Sequence, residues 1–142
     1  MQEAVHRRSY LLLLGDFLFF LALFIFALIR RRDQLCIWGS ILAIPSFALW
    51  FVAKLDLGSS FTARPEARSL VTWGLYSRIR HPIYFFSTLA MLGIAICLRS
   101  RRFDLYLVAL VIVQLWRIRL EERALRDKFG EAYLAYRRRT WF

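Results

Sequence analysis

Two long apolar runs, residues 10–29 and 35–53, decide most of what this chain of 142 residues can become. At about 1.5 Å of rise per helical residue, runs of this length cross a hydrocarbon layer of about 30 Å. The first is interrupted only by Asp16. With 59% apolar residues and a mean hydropathy of +0.46, the chain carries more apolar surface than one small soluble core hides. The expected setting is a lipid bilayer, and the expected fold class is all-α, because a chain in lipid must satisfy its own backbone groups.

Two shorter runs, residues 83–98 and 103–116, flank Arg99-Ser100-Arg101-Arg102 and read as a helical hairpin. The second gains length if the helix continues past Trp116 to residue 129. The prediction is an integral membrane bundle of about four transmembrane helices with a C-terminal amphipathic helix. It forms one domain over residues 1–142, with two N-terminal spans in residues 1–54 and a loop, hairpin and final helix in residues 55–142. The first run follows His6-Arg7-Arg8 but is too long for a signal peptide and ends in Arg30-Arg31-Arg32 without a small-residue cleavage site, so it is expected to stay as an anchor.

Charge sets orientation. With four spans, the N-terminus, the loop of residues 54–82 and the C-terminal tail share one face, which collects all but six of the 21 Lys and Arg residues. That face is expected to be cytoplasmic. The net charge of +11 does not argue for nucleic acid, since the basic residues flank apolar spans and no soluble domain carries a groove. Anionic lipid headgroups are the expected partner. Cys36 and Cys97 stand singly, without CxxC or Cys/His spacing, so no structural metal is expected. Both fall near the non-cytoplasmic ends of their helices, which leaves a disulfide between them open.

Residues 56–82 hold Gly58, Ser59, Ser60, Pro65 and Gly74, a loop composition too long for a simple connector. Pro82 suits the first turn of the third helix, where its missing N–H costs nothing. Near the end, Leu125, Phe129, Tyr133 and Tyr136 recur at helical spacing, with Arg117, Glu121, Glu122, Arg126 and Lys128 supplying charge and Gly130 an interruption or cap.

Chemistry is expected where polar groups meet the ends of apolar runs, at Arg80-His81-Pro82-Ile83-Tyr84 and Arg117-Ile118-Arg119-Leu120-Glu121-Glu122. Arg117 and Glu121 share a helix face, either as an intrahelical ion pair worth about 0.3–0.5 kcal/mol or as ligand contacts. His81 has no second metal ligand beside it. Tyr76 and Tyr84, like Trp73, Trp116 and Trp141, also suit a membrane interface. Asp16 is either a buried functional group or a side chain reaching the surface. No GxGxxG or GxxxxGK loop exists, and no Ser/His/Asp or Cys/His arrangement presents itself.

The segments Ser69-Leu70-Val71-Thr72-Trp73-Gly74-Leu75-Tyr76, Arg80-His81-Pro82-Ile83-Tyr84, Glu121-Glu122, Phe129-Gly130 and Tyr133 to Tyr136 together resemble the isoprenylcysteine carboxyl methyltransferase family, a relative of the phospholipid N-methyltransferases. The likeness covers about half the chain. It implies a membrane enzyme that uses S-adenosyl-L-methionine without a Rossmann fold. By the resemblance, Arg68, Ser69, Leu70, Val71, Tyr76, His81, Pro82, Ile83 and Tyr84 line the cofactor pocket. Glu121 contacts the cofactor and Arg117 the acceptor carboxylate, and these two are the expected catalytic pair.

Methyl transfer to a carboxylate asks mainly for alignment and exclusion of water. The expected substrate is a membrane lipid or lipidated molecule, most simply the carboxylate of an isoprenylated cysteine, entering sideways from the bilayer while the cofactor enters from the cytoplasm. Arg68 stands where eukaryotic members often have histidine, and the acidic run is reduced to Glu121-Glu122. Three rivals remain: phospholipid amine methylation, an NADPH-dependent membrane reductase relative, and a non-enzymatic membrane subunit whose charges face headgroups.

Overall fold

The computed structural model describes residues 2–31, 33–57 and 70–141, with side chains of the first helix from residue 14 onward. Among the described residues there are four α-helices, α1 (Gln2–Arg30), α2 (Gln34–Leu57), α3 (Pro82–Leu98) and α4 (Arg101–Arg139), with a short 3-10 turn at Gly74–Ser77. Among the described residues there is no strand. The four expected runs thus form four helices. Only Gln34–Leu57 is, among the described residues, long and apolar enough on its own to cross a membrane, because α3 has 17 residues and α4 joins its apolar half to a charged one.

The connections are short where the sequence places charge. Asp33 ends the α1–α2 turn and its Oδ1 accepts the Cys36 N–H at 3.0 Å, meeting one of the free donors of the α2 start. Arg99, in the left-handed region with φ 48°, ends α3, and its N–H bonds to Ala95 O at 2.8 Å. Arg99 also reaches Asp33 Oδ2 at 3.3 Å, which ties the two turns at this end.

Helix α3 is the central element and packs most extensively on α2. The buried stripe of α2 is made of small side chains, Cys36, Gly39, Ala43, Ser46 and Ala53, together with Trp50. Small residues let helix backbones approach, the main route to close packing where lipid supplies no hydrophobic drive. A Cβ on Gly39 would lie 2.5 Å from Gly93 O, and one on Gly93 2.5 Å from Gly39 O, so the two glycines are each other's clearance. Next to them a Cys36–Cys97 disulfide closes the end opposite the loop, which settles the pairing that sequence left open.

Large rings fill the wider gap toward α1, where Phe20 lies 5.2 Å from both Phe47 and Trp50. Asp16 pairs with Lys54, which is buried and sits over the Trp50 ring at 4.3 Å. The carboxylate inside the first run therefore answers a cation at the end of the second.

At the loop end, Asp56 Oδ2 accepts the Leu75 N–H at 2.9 Å and anchors the 3-10 turn to α2. The last part of α4 closes over the same turn. Gly130, with φ 48° and ψ −121°, kinks the helix in a region open to glycine alone. Beyond it, Tyr136 Oη donates to Tyr76 O at 2.6 Å, and Trp141 N–H to Arg78 O at 2.9 Å.

Candidate active site at the mouth of the α3–α4 hairpin

Pro82 starts α3, so His81 stands at its N-cap and Tyr84 one turn inside. Across the hairpin, α4 passes the same level at Arg117 to Glu122. Helical spacing therefore brings two polar stripes face to face.

Glu121 is the hub. Tyr84 Oη donates to its Oε1 at 2.5 Å, His81 Nδ1 lies 3.9 Å from its Oε2, and Arg117 Nη2 lies 3.8 Å from Oε1. The Arg117 guanidinium also sits 5.9 Å from the Tyr84 ring centroid, within cation–π reach. The Arg117–Glu121 ion pair exists as expected, yet it belongs to a four-residue cluster spanning two helices rather than to one exposed helix face.

Glu122 holds a second cluster. Arg80 Nη1 donates to its Oε1 at 2.9 Å, and His81 Nε2 lies 3.5 Å from the same oxygen. Contact with His81, aided by the Arg80 charge, lowers the Glu122 carboxyl from 4.5 to about 2 against the opposing effect of burial. His81 is buried, and its Nε2 closes no hydrogen bond; the same holds for Arg80 Nε and for Tyr133 Oη. Burial raises the Tyr133 hydroxyl and pushes that of Tyr136 up to about 12, and it raises Tyr76 further with help from the Glu121 charge, so all three phenols stay protonated donors.

From this mouth an open cleft of about 210 Å³ runs between the helices. His81, Tyr84, Phe85, Thr88 and Leu89 line it from α3, and Val111, Gln114, Leu115 and Ile118 from α4. It is apolar except for one point. There Thr88 Oγ1 donates to Gln114 Oε1 at 2.7 Å, and Gln114 Nε2 to Ser87 Oγ at 3.0 Å.

The structure therefore gathers His81, Tyr84, Arg117 and Glu121 into one site. Tyr76 and Val71 form a small core with Ala53 just behind it. Pro82 is fully buried and Ile83 packs toward the cores, so neither lines the cleft. Leu70 is half-buried, and Arg68 and Ser69 lie outside the described residues. Sequence reading missed Glu122 as the partner of Arg80 and His81, placing it only among the charges of the last helix. It also counted Gln114 inside an apolar run, where a lone amide was itself the signal. Among the described residues no group of three or more His, Cys, Asp or Glu is placed to hold a metal ion.

The described residues are thus almost wholly helical, with a cluster of ionisable groups at the open end of an apolar hairpin. Residues 33–132 match the phospholipid methyltransferase family, and the chain belongs to it. It is thus a membrane methyltransferase of a family related to the isoprenylcysteine methyltransferases. The match covers α2, the 3-10 turn, α3 and most of α4, and so contains the whole cluster. No curated protein matches the chain.

Proposed function

We propose that the protein is an integral, multi-pass membrane methyltransferase that uses S-adenosylmethionine to methylate a lipidic acceptor, with its site facing the cytoplasm. The observation that carries this is the convergence of His81, Tyr84, Arg117 and Glu121 at the mouth of an open, apolar cleft. The residues suit the cofactor's charges. Glu121 offers a carboxylate to a cation, Arg117 offers a guanidinium to an anion, and buried His81 stands between Glu121 and Glu122 at the lining of the cleft. When bound, the cofactor supplies a methyl on a sulfonium, which an oxygen or nitrogen nucleophile takes as the thioether leaves.

The chain's own work is alignment. Tyr84 fixes the Glu121 carboxylate, and Glu122 with Arg80 fixes the imidazole of His81. The α4 turns beyond Gly130 cover the site from the loop side. The apolar outer surfaces of α2 and α4, including Ile37, Trp38, Ile41, Leu105, Ile112 and Trp116, face the bilayer. The basic tail Arg137-Arg138-Arg139 meets anionic headgroups.

Two acceptors fit. The carboxylate of an isoprenylated cysteine is already nucleophilic and needs only Arg117 to orient it, which is the task a guanidinium fork does well. A phospholipid amine, the substrate in the family's name, must lose a proton, and His81 beside Glu121 is placed to take it. Calorimetric titration with S-adenosylhomocysteine in detergent tests the cofactor; binding of NADPH in its place sinks the proposal. Transfer of a labelled methyl to farnesylcysteine analogues or to ethanolamine lipids then assigns the acceptor.

A further inference from the structure

The end of the bundle opposite the cluster carries charge that the reaction does not use. Its two turns place Arg30 and Arg31 at the close of α1, Arg99 after α3, and Arg101 and Arg102 at the start of α4, all exposed. Along the 17 residues of α3 this end lies about 25 Å from His81. The turns are held side by side by the Cys36–Cys97 disulfide and by the 3.3 Å contact of Arg99 Nη1 with Asp33 Oδ2. Two carboxylates share this end: Asp33, which is bonded to Arg99, and Asp104, exposed in the first turn of α4. The Arg30 guanidinium lies 5.9 Å from the Phe26 ring centroid. Arg31, Arg101 and Arg102 form no ion pair among the described residues.

In the orientation given above this end faces away from the cytoplasm, the face on which a disulfide persists. Arginines in short loops there run against the usual charge bias, and such an excess calls for an anion. Beside the arginines the helices expose apolar side chains, Ile29 on α1, Leu35 and Trp38 on α2 and Leu105 on α4. A free anion would use the guanidinium groups and ignore that flank. A lipid uses both, with its phosphate in the arginine forks and its chains along the apolar side chains. We propose that the turns at 30–33 and 99–102 form a docking surface for the headgroup of an anionic phospholipid, held as a companion of the fold and not as the methyl acceptor. Phosphatidylglycerol has the chemistry required, a phosphodiester with net negative charge and no amine to methylate. The inference shares only its orientation with the methyl-transfer reading.

Native mass spectrometry of the full chain in detergent, titrated with phosphatidylglycerol or phosphatidylcholine, tests this. Wild type is expected to hold phosphatidylglycerol at least about tenfold more tightly. Arg101→Gln combined with Arg102→Gln is expected to weaken phosphatidylglycerol by about fivefold for each arginine removed and to leave phosphatidylcholine unchanged. Affinity for S-adenosylhomocysteine should stay as in wild type. Neutralising Arg137, Arg138 and Arg139 to Gln at the other end is the control; a loss there as large as in the turn pair overturns the inference. Equal binding of the two lipids by wild type overturns it as well. Glycerol 3-phosphate, which has the charge without the chains, is expected not to displace the lipid, and displacement at the lipid's own concentration overturns it in favour of a free-phosphate site. If the turn pair does not fold, Arg31→Gln alone should show the fivefold loss, and unchanged affinity in it overturns the inference. A wild type that binds no S-adenosylhomocysteine would sink the methyltransferase and leave this lipid surface standing.

Discussion

Helix α3 has two sides that obey opposite rules. Toward α2 it presents Ala90, Gly93, Ile94 and Cys97, all buried, packed backbone to backbone and closed by a disulfide. Toward α4 it presents His81, Tyr84 and Thr88 across an open cleft. The first side spends small residues on contact. The second spends polar ones on bonds across to α4, Tyr84 to Glu121 and Thr88 to Gln114, at the edge of the cleft. One helix thus separates a fixed back from a receptive front, and the two should respond to different changes.

The largest expected effect is on the back. Replacing Cys36 and Cys97 together by Ser removes a link across 61 residues and should lower stability by about 2–4 kcal/mol, read as a fall in melting temperature. Affinity for S-adenosylhomocysteine should hold in the fraction that remains folded. A large loss of affinity would show that the two sides are not separable.

On the front, Glu121→Gln keeps the shape of the hub but removes its charge from Tyr84, His81 and Arg117. Hydrogen bonds to charged groups are worth about 1.5–3 kcal/mol, so affinity for S-adenosylhomocysteine should fall by about tenfold to a hundredfold. Melting temperature should change much less than for the cysteine pair. An unaltered titration would remove Glu121 from the site.

Gly130→Ala tests the kink that carries the covering turns. A non-glycine residue at φ 48° and ψ −121° is strained by about 1–3 kcal/mol, and the strain should unseat Tyr136 from Tyr76 before it disturbs α2 and α3. Faster hydrogen exchange confined to residues 74–78 and 131–141 is the expected signature.

The smallest effect concerns acid. The folded Glu122 carboxyl titrates near 2 instead of 4.5, so its contribution to stability is complete above pH 4.5 and drains away as the pH falls toward 2. Glu122→Gln should flatten that part of the stability profile and leave the neutral range with a constant offset. A wild-type profile already flat between those values would deny the Arg80–Glu122–His81 contact.

The helices themselves were legible because apolar length and charge punctuation are local signals. The runs around Asp16, Pro82 and Arg99 read correctly as helix, helix start and turn. The gathering of His81, Tyr84, Arg117 and Glu121 was legible through likeness to a family, while the physics of spacing alone offered only an i to i+4 pair. What stayed hidden depends on which faces meet. Glu122 has Arg126 four residues away in sequence but Arg80 across the hairpin, and only the crossing of α3 and α4 decides between them. The disulfide was hidden for the same reason, since two single cysteines reveal nothing of their helices' register. Gln114 was overlooked because hydropathy averages a lone amide away.

The bend at Gly130 makes α4 two tools on one shaft: its inner half walls the cleft, and its outer turns grip Tyr76 and Arg78. The wall of the cleft and the clasp over the 3-10 turn are thus carried by one helix, joined through a single glycine.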